Sequence, residues 1–228
     1  MGFNVIDLDK LCGRGLDAPK RHGNLLPNHV RAIICGPSNS GKTNLMLNLL
    51  TNESGVRFEN IYIFSKSLYQ RKYKLLGSII QDLPEIGYFA YSDNDQVPHP
   101  SELQPNSVMI FDDVSCEKQN NIRNYFAMGR HNDVDTFYLC QTYSRVPKQL
   151  IRDNANFIVL FKQDEKNLRH VYNDHVNTDM SFNMFKDMCS TVWREGHNSF
   201  IVIDKERDVD EGRYRYGMDV NITYVAKI

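Results

Sequence analysis

Three features are scarce in this sequence: long apolar runs, closely spaced cysteines and an excess of charge of one sign. No apolar run approaches the roughly 18 residues that a bilayer-spanning helix needs. The N-terminal residues also lack the apolar segment of a signal peptide. We therefore expect neither a membrane partner nor a cleaved leader.

The five cysteines are odd in number and widely spaced, with no Cys-x-x-Cys pair. This spacing argues against a disulfide framework and a zinc site, and it favours reduced thiols in an intracellular protein. Acidic and basic residues nearly cancel, with a formal net charge of -1. The whole-chain charge therefore gives no argument for a nucleic-acid partner, although a local basic stripe would be enough for one.

Length and periodicity predict the fold class. The 228 residues are enough for one large domain. Strand-like apolar runs alternate with stretches of helical spacing, which predicts an α/β fold with a mostly parallel sheet covered by helices on both faces. The predicted strands are residues 30–35, 60–65, 87–92, 107–114, 136–142 and 156–161. The predicted helices are residues 42–51, part of 66–80, 117–129, 147–155, 164–176 and 181–194.

The ends of the chain differ from this regular pattern. Residues 198–206 and 212–220 are predicted to form a β-hairpin. We expect the main domain to cover residues 29–206, preceded by an N-terminal extension at 1–28 that glycines and prolines interrupt. Residues 207–228 are predicted to be a tail or hairpin that packs on this domain.

The stretch GPSNSGKT lies between the first predicted strand and the first predicted helix. It matches G-x-x-x-x-G-K-[ST], in which glycines let backbone amides close around phosphates and the helix N-terminus adds its dipole. Lys42 is expected to reach the β and γ phosphates of ATP or GTP, and the Thr43 hydroxyl to coordinate Mg2+. The alternative, a chance match in a loop, is less consistent with the flanking strand and helix. The predicted nucleotide-binding residues are Gly36, Pro37, Ser38, Asn39, Ser40, Gly41, Lys42, Thr43 and Asn44.

Another predicted strand, VMIFDD, ends in two carboxylates. Two acids at the tip of a buried strand are unfavourable unless a metal or hydrogen-bond donors compensate them. Beside a phosphate loop, they predict that Asp112 holds Mg2+ through water and that Asp113 polarises the water attacking the γ-phosphate. Asp113 is shorter than the glutamate common at this position, and an ordinary Asp-Asp turn is the alternative.

A polar residue also ends the strand FYLCQT. Gln141 at that tip is placed to sense the γ-phosphate and orient water, with a turn-capping amide as the alternative. A ring ATPase further needs an arginine from a neighbouring subunit to stabilise charge in the transition state. Arg130 is our first choice, Arg145 the second and Arg152 the third, and each is also consistent with a solvated surface arginine.

The motifs GPSNSGKT, VMIFDDV, MGRHNDVDTFYLCQTYSRVPKQLIRDNANFIVLF and NSFIVIDKE occur in this order along the chain. The order resembles the genome-packaging ATPases of large eukaryotic DNA viruses, of the poxvirus type and the Polinton/adintovirus group. These are similar to the FtsK/HerA superfamily of DNA pumps. The resemblance covers roughly Val30 to Asp204.

This resemblance implies a P-loop NTPase with an ASCE/RecA-like, five-stranded core in which the acidic strand does not follow the loop strand in sequence. It implies that ATP hydrolysis with Mg2+ drives double-stranded DNA into a preformed capsid. The implied partners are a homo-oligomeric ring, hexameric or pentameric, and the capsid vertex or other virion proteins. The implied location is the viral assembly site inside the host cell, or the virion. Carried over, Lys42, Thr43, Asp112, Asp113 and Gln141 keep the roles given above.

The segment KSLYQRKYK mixes cations with tyrosines. A DNA pump needs phosphate-binding cations rather than base readout. We therefore predict that Lys66, Arg71, Lys72 and Lys74 face DNA or a subunit interface, with a solvated helix face as the alternative.

Four other functions remain as rivals. A GTPase switch would need Asn or Thr where Phe161 stands, and a D-x-x-G glycine after the metal aspartate. A nucleotide or small-molecule kinase would need an arginine-rich lid, and the Gln141 strand tip fits it poorly. A superfamily 3 or AAA+ helicase shares the core chemistry but would carry a helical lid or an origin-binding domain. An interaction module would bind nucleotide without turnover.

Overall fold

The computed structural model describes residues 20–223. Most of the predicted N-terminal extension and the last residues of the predicted tail lie outside this range. Within it, none of the helices is long and apolar enough to cross a membrane. The cysteines of the described range are free, in agreement with the expected thiols: Cys35, Cys116, Cys140 and Cys189.

One sheet runs through the molecule, with helices on both of its faces. Its strands are β1 (Arg31–Cys35), β2 (Asn60–Ser65), β3 (Gly87–Tyr91), β4 (Ser107–Asp112), β5 (Val134–Cys140), β6 (Phe157–Phe161), β7 (Phe200–Asp204), β8 (Tyr214–Tyr216) and β9 (Val220–Asn221). The α-helices are α1 (Lys42–Thr51), α2 (Arg71–Gln81), α3 (Asn120–Met128), α4 (Glu165–His175) and α5 (Phe182–Arg194).

The strand order of the 9-stranded sheet is β3-β2-β4-β5-β1-β6-β7-β8-β9. Strands from β3 to β6 in this order pair in parallel, and the pairs from β6 to β9 are antiparallel. The expected α/β class, the mostly parallel sheet and the C-terminal hairpin are confirmed. The parallel part has six strands, one more than the five-stranded core that the resemblance implies. The additional strand is β3, predicted at 87–92, which is a half-exposed edge strand beside β2.

Successive side chains along each strand point to opposite faces of the sheet. In β1, Ile33 and Cys35 contribute to one hydrophobic core, whereas Ala32 and Ile34 contribute to the other. Helices α3, α4 and α5 cover the first core, and α1 and α2 cover the second. Because the parallel strands point the same way, the carboxyl ends of β1, β4 and β5 meet at one edge, where ligands of open α/β sheets bind.

The order of β1, β5 and β4 decides how this edge is built. β5 lies between the strand that leads into the glycine loop and the strand that ends in the acids. The acidic strand β4 is therefore not adjacent to the loop strand β1 in the sheet. It is also not adjacent to β1 in the sequence, as expected. The loop and the two acids are separated by the tip of β5, which leaves room for a ligand between them.

The predicted helix at 147–155 is only an irregular turn over Lys148–Arg152. Leu150 has φ 68°, outside the helical region. The N–H of Arg152 donates to Pro147 O at 3.2 Å, five residues back, instead of the α-helical four. This wider turn brings Ile151 and the Arg152 side chain into the interior, where both are buried.

A buried carboxylate joins residues 20–30 to the amino edge of the sheet. Asp135 in β5 accepts a hydrogen bond from the Val30 N–H at 2.7 Å. Arg21 lies 3.4 Å and His22 2.9 Å from its Oδ2 atom. Since a buried carboxylate needs such partners, we infer that Asp135 holds this segment at the edge opposite the strand tips described above.

Candidate active site

The glycine loop joins β1 to α1 at the carboxyl edge of the parallel strands. Its first residue, Gly36, donates its N–H to Cys140 O of β5 at 3.0 Å, which fixes the loop against the neighbouring strand. Asn39 and Gly41 have φ values of 63° and 104°, so the chain turns sharply before α1 begins at Lys42. The first N–H groups of a helix lack intrahelical partners, and here they border the cleft, which suits an anion.

Gly36 is required by close packing. A Cβ atom at this position would lie 2.5 Å from Ser40 Oγ and 2.7 Å from Phe161 Cβ. Contacts this short force neighbours to move, so only glycine lets the loop pack on the tip of β6.

The Lys42 ammonium group lies against the loop itself. Its Nζ donates to Gly36 O at 2.7 Å and to Pro37 O at 2.9 Å. Burial lowers the pKa of Lys42, and the nearby Asp112 carboxylate opposes that shift. The ammonium group is therefore positioned where phosphate oxygens could replace two backbone carbonyls as acceptors.

Asp112 is the last residue of β4 and is 8% exposed. Its Oδ2 accepts a hydrogen bond from the Tyr73 hydroxyl of α2. Burial raises the pKa of Asp112, while the Tyr73 hydrogen bond and the Lys42 charge lower it. A desolvated carboxylate of this kind is stabilised by a cation.

Asp113 leaves the strand, so β4 ends earlier than predicted. Its φ of 57° is uncommon for a residue with a side chain. Its Oδ2 accepts a hydrogen bond from Ser67 Oγ at 3.2 Å. Such backbone conformations cluster at functional sites, and this one directs an exposed carboxylate beside the buried one.

The structure brings five of the predicted catalytic and metal residues into one cleft, and the arginines Arg130 and Arg145 do not line it. Gln141 follows the end of β5 directly and is exposed. The walls include Lys42, Thr43, Asp112, Asp113 and Gln141, together with the loop residues Ser38, Asn39 and Gly41 and with Gln70 and Lys72 at the start of α2. The other predicted loop residues, Gly36, Pro37, Ser40 and Asn44, do not line these walls.

The donors in the cleft are oxygen atoms. Within residues 20–223, no group of three or more His, Cys, Asp or Glu side chains could hold a metal ion. Two carboxylates and the Thr43 hydroxyl instead match Mg2+, which binds few protein ligands and completes its shell with water and substrate phosphates. The residues present therefore fit Mg2+ that arrives with a nucleotide.

The three candidate arginines occupy different places. Arg130 lies in the turn before β5, near His29 at the amino edge of the sheet and thus away from the cleft of its own subunit. Arg145 is exposed in the turn that begins two residues after Gln141, and it does not line the cleft. Both are exposed, as an arginine that reaches a neighbouring subunit must be, and Arg145 shares the edge of the sheet at which the nucleotide-binding residues lie.

Arg152 is held inside its own subunit. Its Nη1 donates to Asp174 Oδ2 at 2.7 Å, and its guanidinium lies 5.2 Å from the centre of the Tyr143 ring. The residue is 9% exposed. An arginine fixed in this way is a poor candidate for reaching a neighbouring subunit.

The four cations predicted to face DNA or a subunit interface have different surroundings. Lys66 donates to Ser92 O at 2.9 Å and pairs with Glu117 at 3.5 Å, so it joins two loops. Lys72 lines the cleft. Arg71 and Lys74 are exposed on α2, and they are the members best placed to contact an external polyanion.

Two residues of the site were missed by the sequence analysis: Tyr73 and Ser67, which donate to Asp112 and Asp113. The spacing of Tyr73, Leu76 and Ile80 marks the buried face of α2 and was the available signal. This spacing predicts that Tyr73 is buried. It does not predict the hydrogen bond to Asp112, because Asp112 lies 39 positions away along the chain.

Comparisons with known proteins agree on the fold. No family model matches the chain, and no curated protein matches its sequence. The genome packaging NTPase B204 from Sulfolobus turreted icosahedral virus 2, solved with ATP-gammaS, is similar at TM-score 0.52 and 15% identity. The similarity covers 78% of this chain and 92% of that one. The fold is that of a P-loop NTPase.

A second solved structure has the same similarity. The DNA-packaging ATPase B204 from Sulfolobus Turreted Icosahedral Virus is 14% identical at TM-score 0.52, over 77% of this chain and 92% of that one. B204 has also been solved with AMPPCP and with AMP. At this identity the likeness establishes the P-loop NTPase fold alone.

Proposed function

We propose that this chain is an ATP hydrolase that translocates double-stranded DNA and packages a viral genome into a preformed capsid. The observation that carries the proposal is the single cleft in which Lys42, Thr43, Asp112, Asp113 and Gln141 meet. The similarity in fold to viral genome-packaging NTPases supports packaging among the many activities this fold hosts.

Binding of ATP would use the loop and the start of α1. The helix N-terminus and the loop amides would hold the phosphate oxygens, and Lys42 would exchange its bonds to Gly36 O and Pro37 O for bonds to the β and γ phosphates. Mg2+, held by Thr43 and through water by Asp112, would supply charge neutralisation at those phosphates.

Hydrolysis would use the exposed acid and the glutamine. Asp113, oriented by Ser67, would accept a proton from the attacking water. The water oxygen would bond to the γ-phosphorus while the bond from that phosphorus to the bridging oxygen breaks, giving ADP and phosphate. Gln141 would orient the same water from the tip of β5.

A ring would complete the site. We infer a homo-oligomer, hexameric or pentameric, in which Arg145 of one subunit stabilises the transition state in the cleft of the next. The ring would engage the capsid vertex or other virion proteins at the assembly site inside the host cell. Within packaging ATPases, the order of motifs supports the poxvirus and Polinton/adintovirus type, related to FtsK/HerA pumps.

Steady-state ATP hydrolysis with and without long double-stranded DNA tests the proposal. We expect duplex DNA to stimulate ATP hydrolysis and this stimulation to fall with added salt. Lys42→Ala should abolish hydrolysis with and without DNA. Lys166→Ala, a change of an exposed lysine on α4, is the matched control and should leave turnover unchanged. A rate of ATP hydrolysis that is unaffected by DNA but rises with a small phosphate acceptor would indicate a kinase and contradict the proposal.

A further inference from the structure

The segment from β2 into α2 contacts both carboxylates of the site. The Tyr73 hydroxyl donates to Asp112 Oδ2, and Ser67 Oγ donates to Asp113 Oδ2 at 3.2 Å. Neither donor belongs to the glycine loop or to the strand tips that carry the motifs. The orientation of both acids therefore depends on an element that the motifs do not include.

Tyr73 is itself firmly held. It is 3% exposed and shares the buried face of α2 with Leu76 and Ile80. Its hydroxyl carries a proton at neutral pH and donates it in the hydrogen bond to the carboxylate. Its ring position is set by the packing of the whole helix against the sheet.

This hydrogen bond selects one oxygen of Asp112. The tyrosine donates to Oδ2, whereas the side-chain hydrogen bonds within residues 20–223 include none to Oδ1. Partners that orient metal ligands in this way control ligand geometry and metal affinity.

We propose that Tyr73 is a positioning residue, which fixes the Asp112 carboxylate with Oδ1 available to Mg2+ and its water shell. The inference rests on the proposed function, because it assumes that the cleft binds nucleotide with Mg2+. The same hydrogen bond would couple the position of α2 to the metal site. Arg71 and Lys74 on the same helix are exposed, so a polyanion that shifts α2 would alter the metal site through Tyr73.

The test separates Mg2+ binding from nucleotide binding in Tyr73→Phe. A fluorescent ATP analogue is titrated onto the wild type and the variant, first in EDTA and then at increasing Mg2+ concentration. We expect equal affinity in EDTA, because the glycine loop is untouched. The Mg2+ concentration that gives half of the Mg2+-dependent tightening should rise about tenfold or more in the variant.

Two further variants control for structure. Tyr88→Phe removes a hydroxyl from β3, where the Tyr88 ring lies beside Gly77 of α2, and should leave the Mg2+ requirement as in the wild type. Lys166→Ala changes an exposed side chain of α4 outside the cleft, and should also leave the half-saturating Mg2+ concentration unchanged.

Two results would overturn the inference. One is the same Mg2+ requirement in Tyr73→Phe as in the wild type. The other is a loss of binding that is equal in EDTA and in Mg2+, which would make Tyr73 a structural residue only. A wild type that binds no nucleotide under either condition would instead remove the proposed function, and this inference with it.

Discussion

Single buried polar residues hold the chain that follows the cleft. Tyr143 comes two residues after Gln141, and its hydroxyl lies 3.1 Å from Asp174 Oδ2 and 2.7 Å from His175 Nε2, both in α4. Ser144 N–H donates to Asn167 Oδ1 at 3.0 Å in the same helix. The residues around the predicted γ-phosphate sensor are therefore tied to α4 rather than free in a loop.

His175 gives this network a dependence on pH. Burial, with smaller contributions from Lys205, Arg152 and Arg213, lowers the pKa of His175 to about 3. The folded protein then binds fewer protons than the unfolded chain between the ordinary value near 6.5 and about 3. Stability contributed by this residue is present above pH 6.5 and is lost as the pH falls below it.

We expect His175→Gln to flatten the dependence of stability on pH. Between pH 6.5 and the folded pKa, the wild type should lose about 1.4 kcal/mol per pH unit through His175, and the variant should lack this loss. Urea unfolding of both proteins at pH 7.5, 6 and 5 measures the difference. Parallel curves for the two proteins would contradict the assignment.

The meeting of the glycine loop, the two acids and Gln141 in one cleft could be predicted, because these residues form local sequence patterns at the ends of parallel strands. The roles of Tyr73 and Arg152 could not. Tyr73 meets Asp112 across 39 positions, and Arg152 meets Asp174 across 22. The partners of such side chains depend on how distant elements pack, which one-dimensional periodicity does not encode.

Helix α2 connects an exposed basic surface to the site. Its buried face carries Tyr73, and its solvent face carries Arg71 and Lys74. Lys72 borders the nucleotide cleft, so a change there would affect ATP directly. Arg71 and Lys74 are therefore the cleaner test of the predicted DNA interface.

We expect Arg71→Ala and Lys74→Ala to weaken DNA binding without changing ATP binding. Removing one cation that neutralises a phosphate should reduce the slope of log affinity against log salt by about one. DNA affinity measured at several salt concentrations tests this, with Lys166→Ala on α4 as the matched control. An unchanged slope in both variants would remove α2 from the DNA interface.

Elements with strong local signals were predicted well. The helices α4 and α5 begin after Asp164 and Ser181, whose side chains accept hydrogen bonds from Asn167 N–H at 2.7 Å and Met184 N–H at 3.3 Å. The segment at 147–155 has a proline start but no comparable helix. Its conformation follows from the buried positions of Ile151 and Arg152, which tertiary packing imposes over local propensity.

Because the net charge of the chain is only -1, the proposed DNA binding depends on local basic surfaces. The proposed ring requires an arginine from a neighbouring subunit in each cleft, and the exposed Arg145 is our candidate. If Arg145 acts in the cleft of its neighbour, two inactive variants can complement each other. A subunit with Lys42→Ala still offers Arg145, and a subunit with Arg145→Ala still has an intact nucleotide site.

We therefore expect mixed subunits of Lys42→Ala and Arg145→Ala to recover ATP hydrolysis that neither has alone. Steady-state turnover of co-assembled proteins measures this. As a control, Arg130→Ala alone should keep turnover close to that of the wild type. Failure of the mixture to recover, with a loss of turnover in Arg130→Ala, would transfer the role to Arg130.

The proposed movement of this protein along double-stranded DNA, driven by ATP hydrolysis, can be measured directly. Displacement of a third strand from a long duplex, with the wild type, ATP and Mg2+, provides it. We predict displacement that requires ATP, is absent in Lys42→Ala and leaves the two duplex strands paired. Hydrolysis stimulated by DNA but without displacement of the third strand, or with separation of the duplex strands, would contradict the proposed translocase.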